Sequence, residues 1–213
     1  MPKLNIVILI SGRGSNLQAI IDAVESGQIN ANIACVISNV PSAYGLERAK
    51  KHEISGIVVD STQFSDKISY ETELLKTIDS YTPDLICLAG YMRIVGDTIL
   101  EKYKGKIINI HPSLLPAFPG LHAQRQAIEV GVKESGCTVH FVDEGCDTGP
   151  IILQSKVHVL DNDTEETLSA RILEEEHKLY PKAIQLFAKG NRLSYAGAYV
   201  EDIVSIVRLP KNR

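Results

Sequence analysis

The chain has 213 residues, 44% of them hydrophobic and 23% charged, the size and makeup of one large globular domain. Its net charge of -4 comes with no basic block, which excludes broad electrostatic binding of nucleic acid but leaves room for one local anion site. Cys35, Cys87, Cys137 and Cys146 are scattered and form no C-x-x-C pair, so neither a zinc site nor a disulfide framework is expected, and reduced cytosolic thiols are the simplest reading.

The first apolar run, Leu4–Ile10, is too short to span a membrane. It lacks a signal-peptide cleavage pattern and flows into a glycine loop, so it reads as a first buried strand. Further Ile/Val-rich strands are expected at 33–38, 56–60, 84–89 and 107–110, and amphipathic helices at 16–26, 44–51, 67–81 and 96–103. Near-continuous apolar strands separated by helices indicate a mostly parallel sheet covered on both faces, an α/β doubly wound fold. Pro112, Pro116 and Pro119 then forbid regular structure. A helix follows at 122–131, then strands at 138–142 and 151–159 around the turn "DEGCDTGP", then a long helix at 164–189 with Thr164 as its N-cap. The tail, 191–213, is expected to add a short strand pair. No repeat, low-complexity segment or linker divides the chain, so 1–213 is expected to form one domain.

In such a sheet, ligands bind beyond the carboxyl ends of the strands. Three unusual segments fall there: "SGRGSN" after the first strand, "LAGYMRIV" after the fourth, and "NIHPS" closing the fifth. In the first, Gly12 and Gly14 permit close backbone approach, and Ser15 and Asn16 open a helix whose N–H groups suit an anion. A dinucleotide fingerprint does not fit. Leu17 and Gln18 stand where a third glycine is needed, and "VISNVPS" offers no acid for a ribose diol. A monophosphate fits better, with a plain strand-to-helix turn as the alternative.

Asn109 and His111 are two apart on a strand and therefore share a face. Aimed at one point, an amide N–H and an imidazole supply an oxyanion-stabilising pair and a proton source. No serine or cysteine stands out as a nucleophile with an adjacent base. The pattern therefore points to direct attack of one bound substrate on a bound acyl donor; a satisfied strand-end histidine is the alternative. "DEGCDTGP" reads on composition as a solvated turn, but an Asp147 that faces His111 favours its imidazolium. His140 is open between core packing and support of the site, and His122 is placed to shape it. His52 and His158 read as surface residues, and "EEEH" as a solvated helix face. No cluster has metal spacing.

Taken in order, "SGRGSNLQAII", "LAGYMRIV", "NIHPSLLPAFPG", "VHFVDEGCDTGPII" and "EEEHKLYP" resemble the phosphoribosylglycinamide formyltransferase family, from the first strand to about Gly190. The resemblance implies a Rossmann-like formyltransferase fold with a nucleotide-binding half, about 1–105, and a folate and catalytic half, about 106–190. It implies transfer of a formyl group from 10-formyltetrahydrofolate to the amine of glycinamide ribonucleotide in purine biosynthesis. It also implies no metal, no nucleic acid or membrane partner, a cytoplasmic setting, and a monomer or homodimer. Asn109, His111 and Asp147 match the catalytic residues. Gly14, Ser15 and Asn16 match the phosphate loop, and Leu173, Glu174, Glu175 and Glu176 the ribonucleotide-binding helix segment, with Glu176 on the ribose. Met92, Arg93, Ile94 and Val95, together with Asp143, Glu144, Gly145, Cys146 and Asp147, match the folate pocket. Asn109 borders that pocket. Two residues depart from the family pattern. Lys67 stands where some relatives have an arginine touching folate, and Thr148 where Gly or Ala is familiar. Methionyl-tRNA formyltransferase, with an added C-terminal domain, and formyltetrahydrofolate deformylase, with an N-terminal regulatory domain, share the Asn–His–Asp core and fit this length less well. A non-catalytic nucleotide-binding module is disfavoured by the intact set.

Overall fold

Alternation along the first strand creates two cores. In β1 (Leu4–Ile10), Ile6, Ile8 and Ile10 enter one apolar cluster and Val7 and Leu9 the other, all fully buried. A strand buried on both faces belongs at the centre of a sheet with a helical layer on each side. The computed structural model describes residues 2–190; the expected strand pair at 191–213 lies outside them.

The remaining elements are α1 (Ser15–Glu25), β2 (Ala31–Ser38), α2 (Tyr44–Lys51), β3 (Gly56–Val58), α3 (Lys67–Asp79), β4 (Leu85–Leu88), α4 (Asp97–Tyr103), β5 (Ile107–His111), α5 (Ala123–Val130), β6 (Glu134–Phe141), β7 (Ile151–His158) and α6 (Glu165–Ala188). The seven strands form one sheet in the order β3-β2-β1-β4-β5-β6-β7. β1 to β5 are parallel, and β6 and β7 add antiparallel. Strand order reverses between β1 and β4, which opens a crevice at their carboxyl ends.

Residues of α1 and α6 pack on the face of Ile6, Ile8 and Ile10; residues of α3 and α4 cover the face of Val7 and Leu9. Tyr180 on α6 is fully buried, and its hydroxyl donates to the carbonyls of Leu88 and Ile108, at 3.0 and 3.1 Å. It thus pins α6 across β4 and β5. Thr164 does cap α6, through a capping box with Thr167. The helix continues through the buried Pro181.

Within the described residues the expected elements are present, with shifted ends. β6 starts at Glu134 rather than 138: although "ESG" looks like a turn, it pairs with β7 as far as Glu134 and His158. There, a side chain on Gly136 would collide with the Ser155 carbonyl, so glycine is required by the close approach of β7. His52 is half-buried rather than a plain surface residue: its ring lies 2.7 Å from Glu25 Oε1 and 3.1 Å from the Gln18 amide nitrogen.

Candidate active site

The loops leaving β1 and β4 are tied together at Ser11. Its N–H donates to the Gly90 carbonyl at 3.1 Å, and its hydroxyl accepts the Met92 N–H at 2.8 Å. Gly14 sits at the N-cap of α1 with φ 69°, in the left-handed region. A Cβ there would fall 2.8 Å from Gly45 Cα, so geometry and packing both demand glycine. No side chain caps α1, which leaves its first-turn N–H groups available to an anion.

Asn16 is buried beneath this loop, and its amide donates to Glu176 Oε2 at 2.7 Å. Burial pushes the Glu176 carboxyl up to about 7, against the opposing effect of the Asn16 bond. The Asn16 carbonyl oxygen has no partner among the described residues. Of the four residues 173–176, only Glu176 is brought to the loop by a hydrogen bond. Glu175 turns away to Ser155 and Lys178, each at 2.7 Å, Glu174 is exposed, and Leu173 is half-buried. Ser15 borders a separate groove of about 530 Å³ between α1 and α6, shared with Gln18, Arg48 and His177.

The main cavity, about 620 Å³, opens at the ends of β4 and β5. Met92, Arg93, Ile94 and Val95 line it as one segment and Asp143, Gly145, Cys146 and Asp147 as another, and Asn109, His111 and His140 lie among its lining. The expected folate-side residues Glu144 and Lys67 do not line it. Glu144 lies 3.8 Å from Lys104, and Lys67 lies 3.6 Å from Glu71. Thr148 donates to Asp143 Oδ1 at 2.7 Å, and the Gly145 N–H to the same oxygen at 3.1 Å. Asp143 thereby folds its own loop, and Thr148 is one of its staples.

At the cavity's inner end the β5–β6 register sets Asn109 opposite His140 and His111 opposite Thr138. Asp147 crosses over from its loop: Oδ2 lies 3.3 Å from His111 Nδ1, and Oδ1 lies 3.5 Å from His140 Nε2 and 3.4 Å from Asn109 Nδ2. Burial raises the Asp147 carboxyl, but the His140 contact, the Gly120 N–H at 2.9 Å and the charge of His111 outweigh it and hold it at about 2. His111 Nε2 lies 2.9 Å from the Phe118 carbonyl. Both ring nitrogens face acceptors, an arrangement that an imidazolium with two N–H groups satisfies in full. His140 is buried, with Nδ1 2.8 Å from the Phe141 carbonyl and Nε2 3.2 Å from Asn109 Nδ2. His140 thus contacts both Asn109 and Asp147, more than core packing alone gives.

Two contributors went unread in the sequence. Phe118 presents its carbonyl to His111 while holding a φ of 56°, and Gly120, with φ 79°, gives its N–H to Asp147. Both act through backbone atoms, which carry no residue-type signal; the dense prolines around them were the only hint. Among the described residues no group of three His, Cys, Asp or Glu side chains is placed to hold a metal ion, and no helix is long and apolar enough to cross a membrane.

Residues 4–184 match the formyl transferase family. The phosphoribosylglycinamide formyltransferase of Escherichia coli is 48% identical over 187 residues, covering 88% of this chain and 88% of that protein. The trifunctional purine biosynthetic protein adenosine-3 of Drosophila melanogaster is also 48% identical, over 90% of this chain, which spans only 14% of that protein's length. Among solved structures, glycinamide ribonucleotide transformylase 1 of Symbiobacterium toebii superposes with a TM-score of 0.87 at 52% identity, covering 88% of this chain and 89% of that one. With a shared fold and a match over most of its length, the chain belongs to the formyl transferase family.

Proposed function

We propose that this protein transfers the formyl group of 10-formyltetrahydrofolate to the amine of glycinamide ribonucleotide, the purine-biosynthetic step named for its relatives. The observation that carries the proposal is the convergence of Asn109, His111 and Asp147 at the inner end of the 620 Å³ cavity, whose wall at Met92 is bonded to Ser11 in the loop that leads to an uncapped helix start. The donor's flat ring system occupies the cavity between segments 92–95 and 143–147. The ribonucleotide phosphate lies on the N–H groups of Gly14, Ser15 and Asn16, and its ribose is held by Glu176.

The amine nitrogen attacks the formyl carbon, and the carbonyl π electrons move onto oxygen. Asn109 and His111 donate hydrogen bonds to that oxyanion, exchanging internal partners for it as the donor enters. The attacking nitrogen, now cationic, gives up its proton with Asp147 as acceptor. The oxyanion then collapses, the bond from carbon to N10 of the folate breaks, and N10 takes up the proton that Asp147 accepted, which returns the carboxylate to its starting state. The protein forms no covalent bond to the formyl group. Water competes for the same carbon, so holding the amine in place is what makes this a transferase rather than a hydrolase.

The test is an absorbance assay of donor consumption with the product identified by mass. The proposal expects rapid consumption only with glycinamide ribonucleotide present, and formylated ribonucleotide as product. Rapid release of free formate without an amine acceptor would favour a deformylase instead.

A further inference from the structure

Lys67 reaches none of the cavity, yet the helix that carries it, α3, grips the cavity wall at several points. The Glu71 side chain is only 4% exposed as a residue and accepts the Gly96 N–H at 2.8 Å. Gly96 closes the wall segment on the side of α4. A Cβ on it would stand 2.5 Å from Glu71 Oε2 and 2.8 Å from Lys67 Nζ, so the backbone rests directly on the carboxylate and its lysine partner. One residue back along the helix, the Tyr70 hydroxyl lies 2.6 Å from that of Tyr91, and the Arg93 guanidinium lies over the Tyr70 ring at 4.7 Å. A buried carboxylate is retained only where it is fully partnered, and here its partners are a lysine and the end of the donor-binding wall.

We infer that Glu71, held by Lys67, is the positioning residue that sets the 91–95 wall against the folate donor, and that Lys67 affects donor binding through this clamp rather than by touching the donor. The inference rests on the functional reading above. Met92 and Ile94 are 69% and 61% exposed and give the wall no anchor of their own; Val95, 4% exposed, is buried in the second core, and the contacts at Tyr91, Arg93 and Gly96 fix the rest of the segment.

The experiment measures KM for donor and for ribonucleotide, kcat, and calorimetric donor binding for the wild type and five variants. Glu71→Ala is expected to raise donor KM and Kd about tenfold or more, as loss of a charged hydrogen bond does, with ribonucleotide KM within about twofold. Glu71→Gln is expected to recover most of that loss, since its amide oxygen still accepts the Gly96 N–H. Lys67→Met is expected to weaken donor binding in the wild type but to add nothing in the Glu71→Ala background. Should Glu71→Ala fail to fold, Gly96→Ala displaces the same carboxylate and is expected to give the same donor-selective loss. Unchanged donor affinity, an equal rise in both KM values, or additive effects of Lys67→Met and Glu71→Ala would overturn the clamp. Wild-type turnover alone tests the underlying function, so the two failures are distinguishable.

Discussion

Substituting Glu176 by glutamine keeps the size of the side chain and an oxygen to accept the Asn16 amide, and removes only ionisation. The folded protein holds this carboxyl at about 7, against an ordinary value near 4.5, because 7% exposure leaves it almost no water. Below pH 4.5 it is protonated whether the chain is folded or not, and it contributes no pH dependence. Between 4.5 and about 7 the unfolded chain ionises while the folded one stays protonated, so stability falls as pH rises, and the loss is complete above 7. At 1.36 kcal/mol per pH unit the interval corresponds to about 3 kcal/mol. Glu176→Gln lacks this loss. Urea unfolding from pH 4.5 to 8 should therefore find the variant and wild type separated by a small constant at acid pH and the variant gaining by up to about 3 kcal/mol at pH 8, with m-values unchanged. His177 next door has its pKa lowered by burial and acts in the opposite sense over part of the range, which is why the difference between the two proteins is the quantity to follow. A difference that stays flat across this range would refute the buried, protonated carboxyl.

Other expectations concern the reaction and its loops. His111→Ala should lose roughly 100- to 1000-fold in turnover, the worth of an oxyanion donor, with both ligands still bound; near-normal turnover would sink the assignment. The Asp147 carboxyl should titrate near pH 2 by carbon-detected NMR, staying charged through the working range, and a midpoint close to 4 would show that His140, Gly120 and His111 do not engage it. Thr148→Ala frees Asp143 from one of its two loop bonds, so donor KM should rise several-fold while ribonucleotide KM holds, and a rise in the latter instead would misplace this loop. Gly14→Ala combines a left-handed φ with a clash against Gly45 and should lower the melting temperature by several degrees along with ribonucleotide affinity; an unaltered melting curve would mean that the loop relaxes freely.

The sheet was legible because burial on both faces leaves a plain mark, runs such as "NIVILI" with no polar alternation. Asn109 and His111 were legible because two polar groups interrupt the end of such a run, where apolar residues are otherwise the rule. The edge of the sheet was harder. "ESGC" pairs in β6 although its first residues favour turns, because β7 supplies the partner that local propensity cannot anticipate. Glu174, Glu175 and Glu176 look alike in sequence, and only the phase of α6 separates the one buried on Asn16 from the two beside it. Lys67 was misleading for a related reason. Its position suggested a reach into the pocket, and nothing in its own identity reveals that Glu71, one turn on, takes it.

The contact between Gly14 and Gly45 works as an interlock between two helices. The Gly45 N–H donates to the Gly12 carbonyl at 3.0 Å, Arg48 donates to the Arg13 carbonyl at 2.9 Å, and a side chain on Gly45 would strike Ile10. The shape of the anion loop is thus held by α2, an element with no part in the chemistry. The loop's entropy is lost when the domain folds, not when a ligand arrives, so under the proposed function an incoming phosphate would meet donors already in place and keep more of its intrinsic affinity. A change on α2 can in this way alter ribonucleotide affinity while every ligand-contacting residue stays the same.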